Sequence, residues 1–199
     1  MAQISLYFQT QLENKVSLLP DQMNSQMDTH LLKNLESKVK GKVTKDGIIL
    51  KINRLIDYQP GIIPGSNFAG TAVYDVKYEC LICSPTNNLN IICVVENIVK
   101  GFLIAKNGPV ILIVQYNNIN PDKFGIVSGN ITYTSNNNSV QKGDYIKVSV
   151  ININSNIDEN KIMAMCKLLD LATKDEITTF ENDQMLILDG GENDSQEFI

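Results

Sequence analysis

Tryptophan is absent from this 199-residue chain, histidine and arginine occur once each, at His30 and Arg54, and no apolar run approaches the length of a membrane span. Each shortage excludes something. A single histidine, on a stretch with helical periodicity, reads as a surface or helix-packing residue rather than a catalytic one, and no Ser-His-acid set is evident. The longest apolar runs, Ile91–Val95 and Val110–Val114, have five residues each, against the ~20 that a membrane helix needs. The N-terminal MAQISLYFQT lacks the basic flank and sustained apolar stretch of a leader, so no targeting or anchoring segment is expected. Glycine occurs 12 times, yet never in a GxxxxGK[ST] or GxGxxG phosphate cradle, and the loop GIIPGSNFAG (61–70) has neither that spacing nor a helix after it. Four cysteines without a leader read as reduced thiols of an intracellular protein rather than a disulfide framework. Cys80 and Cys83 have half a zinc-knuckle spacing, but they lie in an alternating stretch where residues three apart face opposite ways, and no second pair follows. No metal, no cofactor and no active site are expected.

What is present is enough chain, 43% hydrophobic, for one large or two small domains. Asn (23), Ile (25) and Lys (16) dominate, the residues of A/T-rich codons, which points to an A/T-rich genome. The net charge of −5 conceals a partition: residues 1–170 hold 16 basic and 14 acidic residues, whereas 171–199 hold one Lys and eight acids. A slightly basic body therefore carries an acidic C-terminal tail. Its composition favours a solvated extension, and Met185–Leu188 (MLIL) is the stretch that argues for partner binding instead.

Two periodicities divide the body. Leu31, Leu32, Leu35 and Val39 recur at helical spacing and predict a helix over 28–40, with Asp28 or Thr29 as cap. After Gly41 the period becomes two: Ile48, Leu50 and Ile52 alternate with Ile49, Lys51 and Asn53, and Tyr74, Val76, Tyr78, Cys80 and Ile82 alternate with Asp75, Lys77 and Glu79. A turn-rich break, SPTNNLN (84–90), follows. Beyond it, short β signals at 90–97, 101–105, 110–114, 145–152 and 162–168 predict a small barrel. The expected fold class is α+β: an N-terminal module of one helix plus an antiparallel sheet over 1–85, then a five-stranded OB-type β-barrel over 86–170. An Asn-rich insertion at 117–139, too polar for core and partly mobile, and the tail at 171–199 complete the plan.

Two binding surfaces emerge. The loop GIIPGSN sets adjacent isoleucines where turn chemistry asks for none, and an exposed apolar loop is a docking feature. Its candidates are Gly61, Ile62, Ile63, Pro64, Gly65 and Ser66, with Pro64 stiffening the loop and Gly65 supplying a turn closed to other residues. In an OB-type barrel the strands and loops that KGFLIAKNGPVILIV (100–114) and VQKGDYIKVSVININ (140–154) would form carry aromatic rings for bases and lysines for phosphates. Lys100, Phe102, Lys106, Tyr145 and Lys147 are the candidate single-stranded RNA residues.

GIIPGS (61–66) followed by VYDVKYECLICSP (73–85) resembles the stalk subunit of DNA-dependent RNA polymerase, subunit seven of the eukaryotic enzyme and its archaeal counterpart. The helix at 28–40, Gly101–Phe102, Gly108–Pro109 and KGD at 142–144 extend the likeness over about residues 5–170. The resemblance implies a non-catalytic subunit: a "tip" module that docks on the polymerase core through 61–66, and a barrel beside the exit path of nascent RNA that supports initiation. It implies polymerase core subunits, a subunit-four-like stalk partner and nascent RNA as partners, and neither membrane nor cofactor. Leu103 and Leu112 stand where family barrels often carry rings, so RNA binding is expected to be weak. The divergence and the composition resemble subunits encoded by large DNA viruses. That origin implies host cytoplasm or virion, whereas a cellular subunit would be nuclear. The alternatives are a free-standing RNA-binding module or translation factor, which has no use for exposed Ile62 and Ile63, and an enzyme, which needs a cluster of acids absent here.

Overall fold

The computed structural model describes residues 6–65, 68–127, 130–135, 138–157 and 160–188. The chain forms two compact units, Tyr7–Cys83 and the remainder from Ser84 onward together with Leu6.

The first unit is a four-stranded antiparallel sheet, β1 (Tyr7–Leu18), β2 (Val43–Thr44), β3 (Gly47–Tyr58) and β4 (Ala72–Cys83), in the order β1-β4-β3-β2, backed by helix α1 (Met27–Val39). In α1 the helical spacing works as read: Leu31, Leu35 and Val39 are buried. They pack with Val16, Leu18, Ile49, Ile52 and the β4 row Tyr74, Val76, Tyr78, Cys80 and Ile82. Each such large apolar side chain contributes roughly 1.5–3 kcal/mol. Polar contacts set the helix's position on the sheet: Asn34 Nδ2 donates to the Ser17 carbonyl at 2.9 Å, and Lys38 Nζ to the Lys15 carbonyl at 2.6 Å.

Two features of this unit differ from the sequence expectation. Strand β1 was not anticipated, because Gln, Glu, Asn and Lys break its apolar signal and only Tyr7, Val16 and Leu18 are buried. Pairing with β4 along all twelve residues, from Tyr7↔Cys83 to Leu18↔Ala72, overrides that weak propensity. In β3 the strict alternation fails. Register shifts at Ile49/Lys51, Ile52/Arg54 and Leu55/Asp57 are bulges that rotate the strand, so Ile49 and Ile52, three apart, share the face that meets α1.

The second unit is a closed barrel of β5 (Asn90–Val99), β6 (Phe102–Asn107), β7 (Val110–Ile119), β10 (Tyr145–Asn154) and β11 (Ile162–Leu171). Going round it, the order is β5-β6-β7-β11-β10. The β7/β11 pair is parallel and the others antiparallel. A three-stranded meander closed by a fourth strand beside the first is OB-type topology. Inward residues alternate on every strand: Cys93 and Val95; Leu103 and Ala105; Leu112 and Val114; Ile146, Val148 and Val150; Ala164, Cys166 and Leu168.

The insertion is smaller and better built than its Asn content predicted. Strand β7 runs on to Ile119, and β8 (Phe124–Val127) pairs with β9 (Asn130–Tyr133) as a hairpin. Its Phe124 and Ile131 are buried with Val140. Lys123 pairs with Asp170 at the end of β11, and the Tyr133 hydroxyl donates to Asp170 Oδ1 at 3.3 Å. Burial alone would raise the Asp170 pKa, but the hydrogen bonds from Lys123 and the Leu171 amide outweigh it and hold the carboxyl below its ordinary range. Polarity had been read as exposure; two buried apolar residues per hairpin are enough to seat it.

The tail differs from a solvated extension over its described part. Leu171 is the last residue of β11, and Lys174–Leu188 form helix α2; the expectation for 189–199 lies outside the described residues. Thr173 and Glu176 start the helix by a reciprocal cap, the Thr173 amide donating to Glu176 Oε2 at 3.0 Å and the Glu176 amide to Thr173 Oγ1 at 3.4 Å. Composition had concealed an amphipathic segment with its own start signal.

Candidate functional site

The loop between β3 and β4 has a fixed base and an open crown. Gln59 donates its amide to the Asp75 carbonyl, and Ile62 and Val73 exchange both backbone hydrogen bonds, all at 2.9 Å. Gly61 lies on the ring of Tyr74: a Cβ there would sit 2.4 Å from Tyr74 Cζ. Tyr74 in turn meets Tyr58 edge to face at 6.1 Å, and the Tyr58 hydroxyl donates to Asp28 Oδ1 at 2.9 Å. That bond, with smaller contributions from desolvation and charge, raises the Tyr58 pKa. Thus the loop needs Gly61 for close approach and Gly70 for its left-handed φ of 69°. Gly65 has open space around its Cβ position and no left-handed φ, which corrects the turn role expected of it.

Beyond this base the apolar residues face solvent. Ile62 is 71% and Ile63 55% exposed, Pro64 is exposed, and Phe68 is fully exposed. Phe68 was missed in the sequence, although a ring between Asn67 and Ala69 in a loop already marked by two isoleucines was the available signal. Ser66 lies outside the described residues.

The barrel residues divide into two groups. Lys100 is exposed in the β5–β6 turn, where Gly101 takes a φ of 92°, and Phe102 begins β6 at 43% exposure. Leu103 and Leu112, read as depleted ring positions, are wholly buried inside the barrel. The outward residues of β6 and β7 are the pairs Phe102↔Gln115, Ile104↔Ile113 and Lys106↔Ile111. The second group lies across adjacent strands: Tyr145 pairs with Val94, and Val94 with Lys106, while Lys147 sits two residues along β10.

Helix α2 covers part of this second group. Lys147 Nζ meets Glu176 Oε1 at 2.5 Å, the Tyr145 ring meets Phe180 edge to face at 5.7 Å, and the Tyr145 hydroxyl donates to Glu181 Oε1 at 3.3 Å. Gln184 Nε2 donates to Oδ1 of the buried Asn107, whose own Nδ2 donates to the Ile92 carbonyl at 2.7 Å. Burial and the Glu181 carboxylate raise the Tyr145 pKa. Glu176 is held low because the bonds from Lys147 and the Thr173 amide outweigh the effect of its burial.

The four cysteines are reduced and buried, and burial pushes the Cys80 thiol up to about 11 and those of Cys83 and Cys166 to about 12. Burial thus disfavours the thiolate, the reactive form of these side chains. Among the described residues no cluster of His, Cys, Asp and Glu could hold a metal, and no helix is long and apolar enough to cross a membrane.

These features describe a two-module protein: a helix-backed sheet that presents an apolar loop, and an OB-type barrel with basic and aromatic groups on its outer face. A family profile described as "SHS2 domain found in N terminus of Rpb7p/Rpc25p/MJ0397" matches residues 13–67. The chain is 63% identical over 199 residues, the whole of both chains, to the Acanthamoeba polyphaga mimivirus protein named "Putative DNA-directed RNA polymerase subunit L376". It is 24% identical over 169 residues, 83% of this chain and 93% of the other, to DNA-directed RNA polymerase II subunit RPB7 of Glycine max. The chain belongs to the Rpb7-like stalk-subunit family of DNA-directed RNA polymerase, whose members are non-catalytic components of that enzyme.

Proposed function

We propose that this protein docks on the core of a multisubunit DNA-dependent RNA polymerase through Gly61–Ser66, supports initiation from that position, and guides nascent RNA over its barrel. The observation that carries the docking assignment is the exposure of Ile62 and Ile63, with Phe68 in the same loop, above a base held by Tyr74 and the Ile62–Val73 bridge. A preformed apolar projection avoids the ordering cost that a flexible loop meets on binding. Lys100 and Phe102 are the open part of the RNA surface, and Lys106, Tyr145 and Lys147 extend it. A subunit-four-like protein is the further stalk partner in this reading.

Charge should be intolerable at the loop. Replacing Ile62 and Ile63 together with Asp places two carboxylates in an apolar contact, a cost of several kcal/mol on association. The free subunit should keep its circular dichroism and melting profile, since both side chains face solvent. Tagged wild-type protein should recover the large polymerase subunits from its native context and the double variant should not. A folded variant that recovers them at the wild-type level would overturn the docking assignment.

A further inference from the structure

Strand alternation places Ile92 on the outer side of β5, since Ile91, Cys93 and Val95 are core residues and Val94 faces out. Ile92 is nevertheless buried, in a cleft that it lines with Glu176, Thr179, Phe180 and Asp183. A helix is thus seated on the outer surface of the barrel, on Tyr145 and Lys147 of β10 and beside Val94 and Lys106, which continue the row across β5 and β6. Its chemistry repeats what that surface would take from a nucleic acid. Glu176 gives Lys147 an anionic oxygen where a phosphate would pair, Phe180 gives Tyr145 an aromatic partner where a base would stack, and Glu181 accepts the Tyr145 hydroxyl. Helix α2 carries four carboxylates against one lysine.

The seat is incomplete. A groove of about 570 Å³ remains beside the helix, lined by Val94, Lys106 and Lys142 on the barrel and by Phe180, Gln184 and Ile187 on α2. Two lysines border it, and among the described residues neither makes an ion pair with a carboxylate of α2. Among the described residues the helix is held by the Lys147–Glu176 ion pair, the Tyr145–Phe180 ring contact and hydrogen bonds from Tyr145 and Gln184. Contacts of this kind exchange readily for equivalent ones from an incoming strand, because the polar partners on the barrel are satisfied in either state.

We infer that α2 is an autoinhibitory cover that occupies part of the barrel's single-stranded RNA surface in cis and is displaced when RNA binds. The inference rests on the RNA-guiding role proposed above for the barrel. It makes the apparent RNA affinity of the full chain lower than that of the bare surface by the fraction of time the surface is open.

The test is fluorescence anisotropy with a labelled twelve-nucleotide oligouridylate at low salt. The full chain is compared with a chain ending at Thr173, with full-length Glu176→Gln/Glu181→Gln, and with full-length Asp175→Asn. The last removes one charge from an exposed position of the same helix and controls for bulk electrostatics. Truncation should raise affinity tenfold or more, the double variant about threefold, and Asp175→Asn not measurably. Adding Lys147→Ala to the truncated chain should abolish most of the gain. Circular dichroism establishes that each barrel is folded, and if the truncated chain is not, the double variant against Asp175→Asn decides the matter. Equal, measurable affinity of the full chain and the uncovering variants overturns the cover and leaves the RNA surface standing. No binding by any variant overturns the RNA surface and the cover together.

Discussion

The loop of the first unit and the outer face of the barrel are both candidate contact surfaces, and they are finished in opposite ways. At the loop, apolar side chains stand uncovered on a base whose backbone bonds and aromatic packing are complete. On the barrel, Lys147 and Tyr145 already have partners from the same chain, while Lys100 and Phe102 stay open. Uncovered apolar area has its free-energy gain still to make, so the loop suits a lasting contact with a protein. A face whose lysine and tyrosine are satisfied in cis can gain only by exchange, which suits a ligand that passes. The two finishes match the two roles proposed for the protein.

The comparison breaks most readily at the loop's base. Gly61→Val should force the Tyr74 ring out of its place beside Tyr58 and destabilise the first unit by about 1–3 kcal/mol, the usual cost of overpacking. Gly65→Ala, with open space around it, should leave the melting temperature unchanged. Thermal unfolding of the pair separates a glycine required by contact from one that is merely in the loop. A thermally silent Gly61→Val would mean that the base is not rigid.

A smaller effect is expected at the start of α2. Thr173→Ala removes one half of the reciprocal cap and should cost about 1 kcal/mol of helix stability. Hydrogen exchange should then speed up in 174–188 while the amides of β5–β7 remain protected. Uniform loss of protection across the barrel would show that α2 is integral to the fold, and the distinction between an open loop and a covered face would lose its meaning.

The smallest effect is that of pH. Glu176 has its folded pKa below the ordinary value of 4.5, so its contribution is fully present above that value and is lost as pH falls through the folded one. Asp183 is shifted upward by burial, and it acts in the opposite sense, since its charged form is the disfavoured one in the folded state. The seat of α2 should therefore loosen only mildly on going from about pH 6 to about pH 4. Ring resonances of Tyr145 and Phe180, followed over that range, should shift together. Loosening on raising pH instead would make Asp183 the dominant group.

Much of the plan was legible because it depended on local patterns. The β4 row from Tyr74 to Ile82, the α1 positions Leu31, Leu35 and Val39, and the five barrel strands all repeat with the period of their element. Exposure of Ile62 and Ile63 could be read because they interrupt a run of Pro, Gly, Ser and Asn. The start of α2 was equally local, a Thr-x-x-Glu box at 173–176 ahead of Ile177 and Phe180, but acidic composition was given more weight than the cap. Phe68 carries no periodic signal of its own, being a lone ring among Asn67, Ala69 and Gly70.

The sequence by itself determined which segments alternate, which face of each is apolar, and that a loop carried unburied isoleucines. Each of these is a property of residues close together along the chain. Only the tertiary structure decided that the polar stretch 7–18 is a strand, that bulges bring Ile49 and Ile52 to one face, that Gly61 rather than Gly65 is irreplaceable, and that an acidic helix rests on Tyr145 and Lys147. Those outcomes depend on what lies opposite: the ladder of β4, the ring of Tyr74, and the outer surface of β10 and β5. Pairing and packing energies between residues distant in sequence are comparable to local propensities and often exceed them, and the chain's own order does not specify them.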